Sequence, residues 1–145
     1  FMSASVETLR RFGWLPLAVF LAHEICAHGI DAYRRWPAID IPLHFLGGIA
    51  IACFAEGALR LLGERGILRP PEALVRILLL FALVTTTAVF WEFAEFSADL
   101  TLGTHCQLSF EDTLLDLVMG MLGGLAYLLP KFSGTFRNFS PSSQP

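Results

Sequence analysis

Charged residues are scarce in this chain, and their scarcity is the first feature that narrows its function. Asp, Glu, Lys and Arg together make up 16% of the 145 residues, whereas hydrophobic residues make up 54%. A typical soluble domain is about 25% charged. The length corresponds to one domain, and the composition predicts that this domain lies in a membrane.

Basic runs and the common catalytic motifs are also missing. The net charge is −3 and no cluster of Lys or Arg occurs, which argues against nucleic acid as a partner. Without a Cys-x-x-Cys, Gly-x-Ser-x-Gly, phosphate-binding loop or dinucleotide fingerprint, thiol-redox, serine-hydrolase and nucleotide-dependent functions lack support. Cys26 and Cys106 fall on the same predicted side of the membrane, and their spacing leaves open whether they form a disulfide.

Four apolar stretches predict an all-α fold, an integral membrane bundle of four helices. A span needs about 20 residues, and four stretches reach that length with their embedded polar residues: about 12–30, 41–63, 72–97 and 111–129. The first follows basic residues, as in a secretory signal, but no small-residue cleavage site comes after it. We therefore expect it to be retained as a transmembrane helix. Residues 1–11 are expected to form a cytoplasmic segment, and 130–145 a disordered polar tail.

Residues with strong positional preferences mark the helix boundaries. Asp40 opens the second stretch and is interpreted as its N-cap. Ser109 and Asp112 are spaced as a capping box at the start of the last stretch. Pro130 is expected to close that helix.

Two further patterns predict contacts within the bundle. Gly47-Gly48 and the segment "GMLGG" at 120–124 are typical of helices that approach each other closely. Glu56 stands four residues before Arg60, which favours an ion pair within one helix.

The distribution of charge predicts the orientation. An even number of spans places both termini on one side, where eight basic residues face four acids, while the other side has two basic residues and nine acids. Basic residues concentrate on the cytoplasmic side of membrane proteins. We therefore expect both termini to lie in the cytoplasm.

Ionisable residues concentrate at the helix ends that face away from the cytoplasm. All four histidines and nine of the thirteen acids lie there. Helical spacing groups them on common faces, namely Glu92, Glu95 and Asp99; Asp112 and Asp116; and Glu24, His28 and Asp31. An ionisable group at membrane depth costs about 2.5–3.5 kcal/mol, so such groups usually face the bundle interior and mark function. Crowded carboxylates repel one another in a low dielectric, and a cation or a shared proton relieves that repulsion.

The sequence thus predicts a divalent-metal site at the extracytoplasmic face. The predicted ligands are His44, Glu92, Asp112 and Asp116, with Glu95 as a candidate general base. Mixed imidazole and carboxylate ligands suit Zn²⁺, Mn²⁺ or Fe²⁺. Secondary candidates for this site are Asp40, His23, Glu24, His28 and Asp99.

Structural roles remain open for several of these residues. Asp112 could serve the helix cap instead of the site, and Glu95 and Asp99 could be interfacial residues in water. His23 could form a hydrogen bond inside the bundle without binding a ligand. His44, Glu92 and Asp116 are the hardest to explain without a shared polar site.

Three segments of the chain resemble a superfamily of small membrane proteins. They are "DIPLHFLGGIAIACFAEGALRLL" (40–62), "FWEFAEF" (90–96) and "EDTLLDLVMGMLGG" (111–124). Their order and spacing resemble the YjdF-like inner-membrane proteins and, more distantly, the VanZ-like proteins. The resemblance implies a bacterial inner-membrane protein, and the YjdF-like proteins have no established activity. The resemblance to VanZ-like proteins implies a place in the cell envelope, where such proteins are associated with glycopeptide-antibiotic resistance.

Three kinds of function are compatible with this pattern. The first is a metal-dependent enzyme that acts on a lipid or cell-envelope headgroup. The second is a non-catalytic protein that binds or transports a cation or proton, which four short helices would achieve best as a homo-oligomer. The third is a structural bundle braced by a hydrogen-bonded polar cluster. The lipid bilayer is the expected partner in all three.

Overall fold

The computed structural model describes residues 3–30 and 32–137, and every regular element in those residues is helical. The all-α prediction is therefore confirmed. The helices are α1 (Ala4–Phe12), α2 (Trp14–Glu24), α3 (Ala32–Arg35), α4 (Asp40–Glu64), α5 (Ala73–Leu102) and α6 (Phe110–Arg137). A π-helical turn (Ile25–Gly29) follows α2, and a 3-10 turn (Pro37–Ile39) leads into α4.

Within the described residues, three helices are long and apolar enough to cross a membrane: α4, α5 and α6 as far as Lys131. The first predicted span is wrong in its bounds, because 12–30 is divided between the end of α1, α2 and the π-helical turn. Pro16 explains the division, since its ring lacks an N–H and clashes with the carbonyl of Phe12 in a continuous helix. What remains is a shorter apolar helix, Trp14–Ala27.

Two other predicted boundaries also differ. α5 continues past residue 97 to Leu102 and ends at Gly103, whose φ of 67° is the left-handed conformation that glycine adopts most easily. α6 does not end at Pro130 but continues to Arg137. A proline inside a helix removes one backbone hydrogen bond and bends the helix without having to end it. Residues 138–145 of the predicted tail lie outside the described part of the chain.

α4 is the centre of the bundle and packs against α1, α2, α5 and α6. Its crossing with α6 is very close, because a Cβ at Gly48 would lie 1.9 Å from the Gly120 oxygen. The predicted close packing is thus confirmed for these glycines, although Gly47 faces Val19 of α2 instead. The crossing brings the start of α6 beside the start of α4.

The outer surface is apolar, as a lipid environment requires. Leu78, Phe90 and Phe93 on α5 are 59%, 67% and 60% exposed. A soluble monomer rarely exposes such a continuous apolar surface. Ala55, Leu80 and Leu128 form a small buried core where α4, α5 and α6 meet.

Candidate metal centre

A group of three potential ligands lies where α4 and α6 begin. His44 Nε2 lies 3.3 Å from Asp40 Oδ1 and 4.0 Å from Asp116 Oδ1. Asp40 and His44 are one turn apart on α4, so both side chains point to the same face. The ligand atoms of the three residues lie within 4.8 Å of one another. Around a tetrahedral Zn²⁺ with bonds of about 2.1 Å, neighbouring ligand atoms would be about 3.4 Å apart.

A second group shares His44 and adds two acids from α5. His44 Nδ1 lies 3.7 Å from Glu92 Oε1, and Glu95 completes this group. The predicted convergence of His44, Glu92 and Asp116 is therefore present. Because the two groups use opposite sides of one imidazole ring, a single ion bound at Nε2 would leave Nδ1 facing Glu92.

The two groups together form one cluster, which consists of Asp40, His44, Glu92, Glu95 and Asp116. This cluster contains polar atoms that are buried without a hydrogen-bond partner. Among the described residues, four of the five such side-chain atoms belong to it: Asp40 Oδ1, His44 Nε2, Glu92 Oε1 and Asp116 Oδ1. The four side chains are between 4% and 8% exposed. An unsatisfied buried polar group costs about 1–3 kcal/mol, and more when it is charged. These unpartnered atoms belong to histidine and carboxylate side chains that could hold a metal ion.

His23 and Tyr33 extend the cluster on its α2 side. The Tyr33 hydroxyl lies 2.7 Å from His23 Nδ1, and His23 Nε2 lies 3.5 Å from Glu95 Oε1. Burial, together with the nearby Asp40 carboxylate, raises the pKa of Tyr33. Trp91 Nε1 donates to Glu95 Oε1 at 2.9 Å and packs edge-on against His23. These contacts fix the orientation of two ligand candidates.

The loop between α5 and α6 closes over the cluster. Gln107 Nε2 donates to the Glu92 backbone oxygen at 3.0 Å and lies 3.3 Å from Glu92 Oε2. Asp99 accepts hydrogen bonds from the Thr104 hydroxyl and from the backbone N–H groups of Cys106 and Gln107. Asp99 therefore organises this loop rather than facing the other acids. Burial raises the pKa of the Cys106 thiol, and Cys106, like Cys26, is a free cysteine in this structure.

Two predicted assignments change places. Asp40 is not the N-cap of α4, because Ile39 occupies that position and Asp40 is buried beside His44. Asp112 was a predicted ligand but lies in neither group. Its backbone N–H donates to Ser109 Oγ at 3.1 Å and its carboxylate accepts from Leu108 N–H at 3.3 Å, as at a capped helix start.

The remaining secondary candidates belong to the segment after α2. Glu24 is half-buried and, among the described residues, lies in neither ligand group. The side chain of His28, and Asp31 as a whole, lie outside the described part of the chain. The π-helical turn changes the spacing that places Glu24 and His28 on one α-helical face.

Sequence reasoning missed three contributors to the site: Tyr33, Trp91 and Gln107. Trp91 stands four residues before Glu95, a helical spacing that could have identified it. Tyr33 and Gln107 lie on connections between the long helices, where no periodic pattern indicates a partner.

A separate polar group lies farther along α4. The expected partner of Glu56 was Arg60, but Glu56 instead forms an ion pair with Lys131 and accepts a hydrogen bond of 2.7 Å from the Tyr127 hydroxyl. Both partners come from α6, which no spacing within α4 could indicate. Among the described residues, no Glu56 oxygen is a buried atom without a hydrogen-bond partner, in contrast to Asp40 Oδ1, Glu92 Oε1 and Asp116 Oδ1.

Fold and site together define a polytopic membrane protein with a buried cluster of histidine and carboxylate side chains. A family model described as a predicted membrane protein (DUF2238) matches residues 4–132. The chain therefore belongs to this family. No curated protein and no solved structure matches it. The relationship to YjdF-like and VanZ-like proteins stays a prediction.

Proposed function

We propose that this protein binds one divalent metal ion through Asp40, His44 and Asp116, at the extracytoplasmic face of a bacterial inner membrane. The observation that carries the proposal is the group of four buried polar atoms without hydrogen-bond partners. A divalent cation would satisfy Asp40 Oδ1, His44 Nε2 and Asp116 Oδ1 together and offset the repulsion among the acids, while Glu92 Oε1 would face His44 Nδ1. Zn²⁺, Mn²⁺ and Fe²⁺ are the ions that suit one imidazole and two carboxylates.

In this proposal Glu92 orients His44 rather than binding the ion. A histidine that coordinates through Nε2 usually donates its Nδ1–H to a carboxylate, which fixes the ring and its tautomer. Glu92 Oε1 lies 3.7 Å from Nδ1, on the required side of the ring. Gln107 in turn contacts Glu92, so the orienting carboxylate is itself held in place.

An enzymatic role would build on the same centre. A bound divalent ion supplies a polarised oxygen or an activated water. Glu95 would be the general base, because it belongs to the ligand group of His44 and is positioned by Trp91 and His23. The substrate would be the headgroup of a lipid or of another cell-envelope component, since a site at the ends of membrane helices lies at headgroup depth.

The experiment is elemental analysis by mass spectrometry of detergent-purified protein, prepared without metal-affinity resin or chelator. Wild type is compared with His44→Ala and Asp116→Asn, and Glu56→Gln serves as the matched control because Glu56 is a buried acid outside the cluster. We expect about one metal per chain in wild type and Glu56→Gln, and less than a tenth of that in the other two variants. Wild type that binds no metal even with added Zn²⁺ or Mn²⁺ contradicts the proposal.

The alternative is a cluster that shares protons among its acids and His44. It is favoured by the 3.3 Å separation of His44 and Asp40, which a shared proton could bridge. Cation transport has less support, because the buried face of α4 between His44 and Glu56 consists of Gly48, Ala52 and other small apolar residues. A metal-free wild type whose stability depends on His44 would favour proton sharing.

A further inference from the structure

An apolar groove adjoins the metal-centre candidate and has the volume of a ligand pocket. It encloses about 370 Å³ between α2, α4 and α5, within the range of roughly 300–1,000 Å³ that is usual for ligand pockets. Leu43, Gly47 and Ile51 of α4, Phe20 of α2 and Ala88 of α5 line it. Its walls are almost entirely hydrocarbon.

Apart from the Thr87 hydroxyl, which donates to the Leu83 carbonyl, the groove is polar only where it meets the cluster. His23, His44 and Trp91 line that part, and each of them also contacts an acid of the cluster. From His44 to Ile51 the groove follows two turns of α4, roughly 10 Å along the helix axis. A molecule inside it would therefore touch the polar cluster with one end and apolar side chains with the other.

The groove is also open to the surroundings of the bundle. Leu17 and Phe20, both in its wall, are 54% and 41% exposed, and Thr87 is exposed as well. In a bilayer this opening faces lipid. An apolar cavity of this size does not hold water stably but does accept an apolar ligand.

We infer that the groove holds one acyl chain of a bilayer phospholipid whose phosphate lies at the cluster of His44, Asp40 and Asp116. The chain matches the apolar walls, and phosphate oxygens are suitable ligands for a divalent ion. The phosphate contact rests on the proposed metal site, whereas the chain contact does not. A phospholipid is the molecule that supplies both parts at the depth where the groove opens.

Filling the groove tests the inference. A Cβ at Gly47 would meet only Val19, at 3.9 Å, so Gly47→Leu can extend into the groove without a backbone clash. Thr87→Leu narrows the groove from α5 and covers the case in which Gly47→Leu fails to fold. The matched control is Thr86→Leu, since Thr86 is the exposed neighbour that does not line the groove.

The probe is phosphatidylglycerol with a diazirine at the middle of one acyl chain, photolysed in liposomes that contain the protein. We expect crosslinks to concentrate on peptides of α2 and α4, with at least tenfold less in Gly47→Leu and Thr87→Leu and no change in Thr86→Leu. Metal content, measured on the same samples, should be unaffected by the groove variants. Crosslinks that persist unchanged in both groove variants overturn the inference. It is also overturned if a polyisoprenyl phosphate abolishes the crosslinking and unlabelled phospholipid does not. Normal crosslinking to a metal-free protein instead contradicts the metal site and leaves the chain groove standing.

Discussion

Adding one methyl group at Gly48 should separate two helices and weaken the metal site. A Cβ there would lie 1.9 Å from the Gly120 oxygen and 2.9 Å from the Gly124 nitrogen. Carbon needs a separation of about 3.4 Å or more from such atoms, so α4 and α6 would have to move apart by roughly 1.5 Å. Both clashing atoms belong to the backbone, so the clash cannot be relieved by a change of side-chain rotamer.

The energetic cost follows from this displacement. Overpacking a close contact costs about 1–3 kcal/mol, and the better helix propensity of alanine returns up to about 1 kcal/mol. We expect Gly48→Ala to lose about 1 kcal/mol of unfolding free energy relative to wild type and about 2 kcal/mol relative to Gly47→Ala, which gains the same helix propensity without the clash. Gly47→Ala is the matched control, because its Cβ would meet only Val19 at 3.9 Å and should be neutral or slightly stabilising.

The same displacement should reach the site. His44 Nε2 on α4 lies 4.0 Å from Asp116 Oδ1 on α6. Each of these residues is one helical turn before the glycine at which the two helices cross. A separation of roughly 1.5 Å would take these atoms beyond the spacing that one ion can bridge. Gly48→Ala should therefore bind less metal than Gly47→Ala.

The assay is reversible unfolding in mixed detergent micelles, followed by circular dichroism, with elemental analysis of each variant. If Gly48→Ala is within about 0.5 kcal/mol of Gly47→Ala, the close backbone contact between α4 and α6 is refuted.

Three further predictions concern groups around the site and along α4. Tyr33→Phe should weaken metal binding by about 10–100-fold while leaving the fold intact, because the hydroxyl orients residues beside the ligands; titration with Zn²⁺ measures this. Lys131→Met should destabilise the protein by about 1–3 kcal/mol, because it removes the ion partner of buried Glu56, and adding Glu56→Gln should recover part of the loss in a double-mutant cycle. Cys106 should react with a membrane-impermeant maleimide far more slowly than Cys26 at neutral pH, and faster as the pH rises toward its raised pKa. Both thiols should be labelled from outside the cell, and labelling only after the membrane is opened would contradict the proposed orientation.

Much of the site was predictable because helical spacing and topology act together. The acids of α5 stand at i and i+3, the long helices alternate in direction, and their polar ends must therefore meet. This reasoning correctly brought together His44, Glu92 and Asp116. The sequence left a capping role and a site role open for both Asp40 and Asp112, and it could not decide between them because both stand near a helix start.

The amino-acid sequence by itself determined that this protein lies in a membrane, that it is helical, and that its acids and histidines gather at one end of the helices. Composition and periodicity are local properties, so they need no knowledge of the packing. Only the tertiary structure decided that Glu56 pairs with Lys131, that Tyr33 and Gln107 reach the cluster, and that the first apolar segment forms a helix of only Trp14–Ala27. These features depend on how far each helix is rotated about its own axis and shifted along it relative to its neighbours. In this protein those values follow from backbone contacts such as that between Gly48 and Gly120, which no spacing along a single helix can indicate.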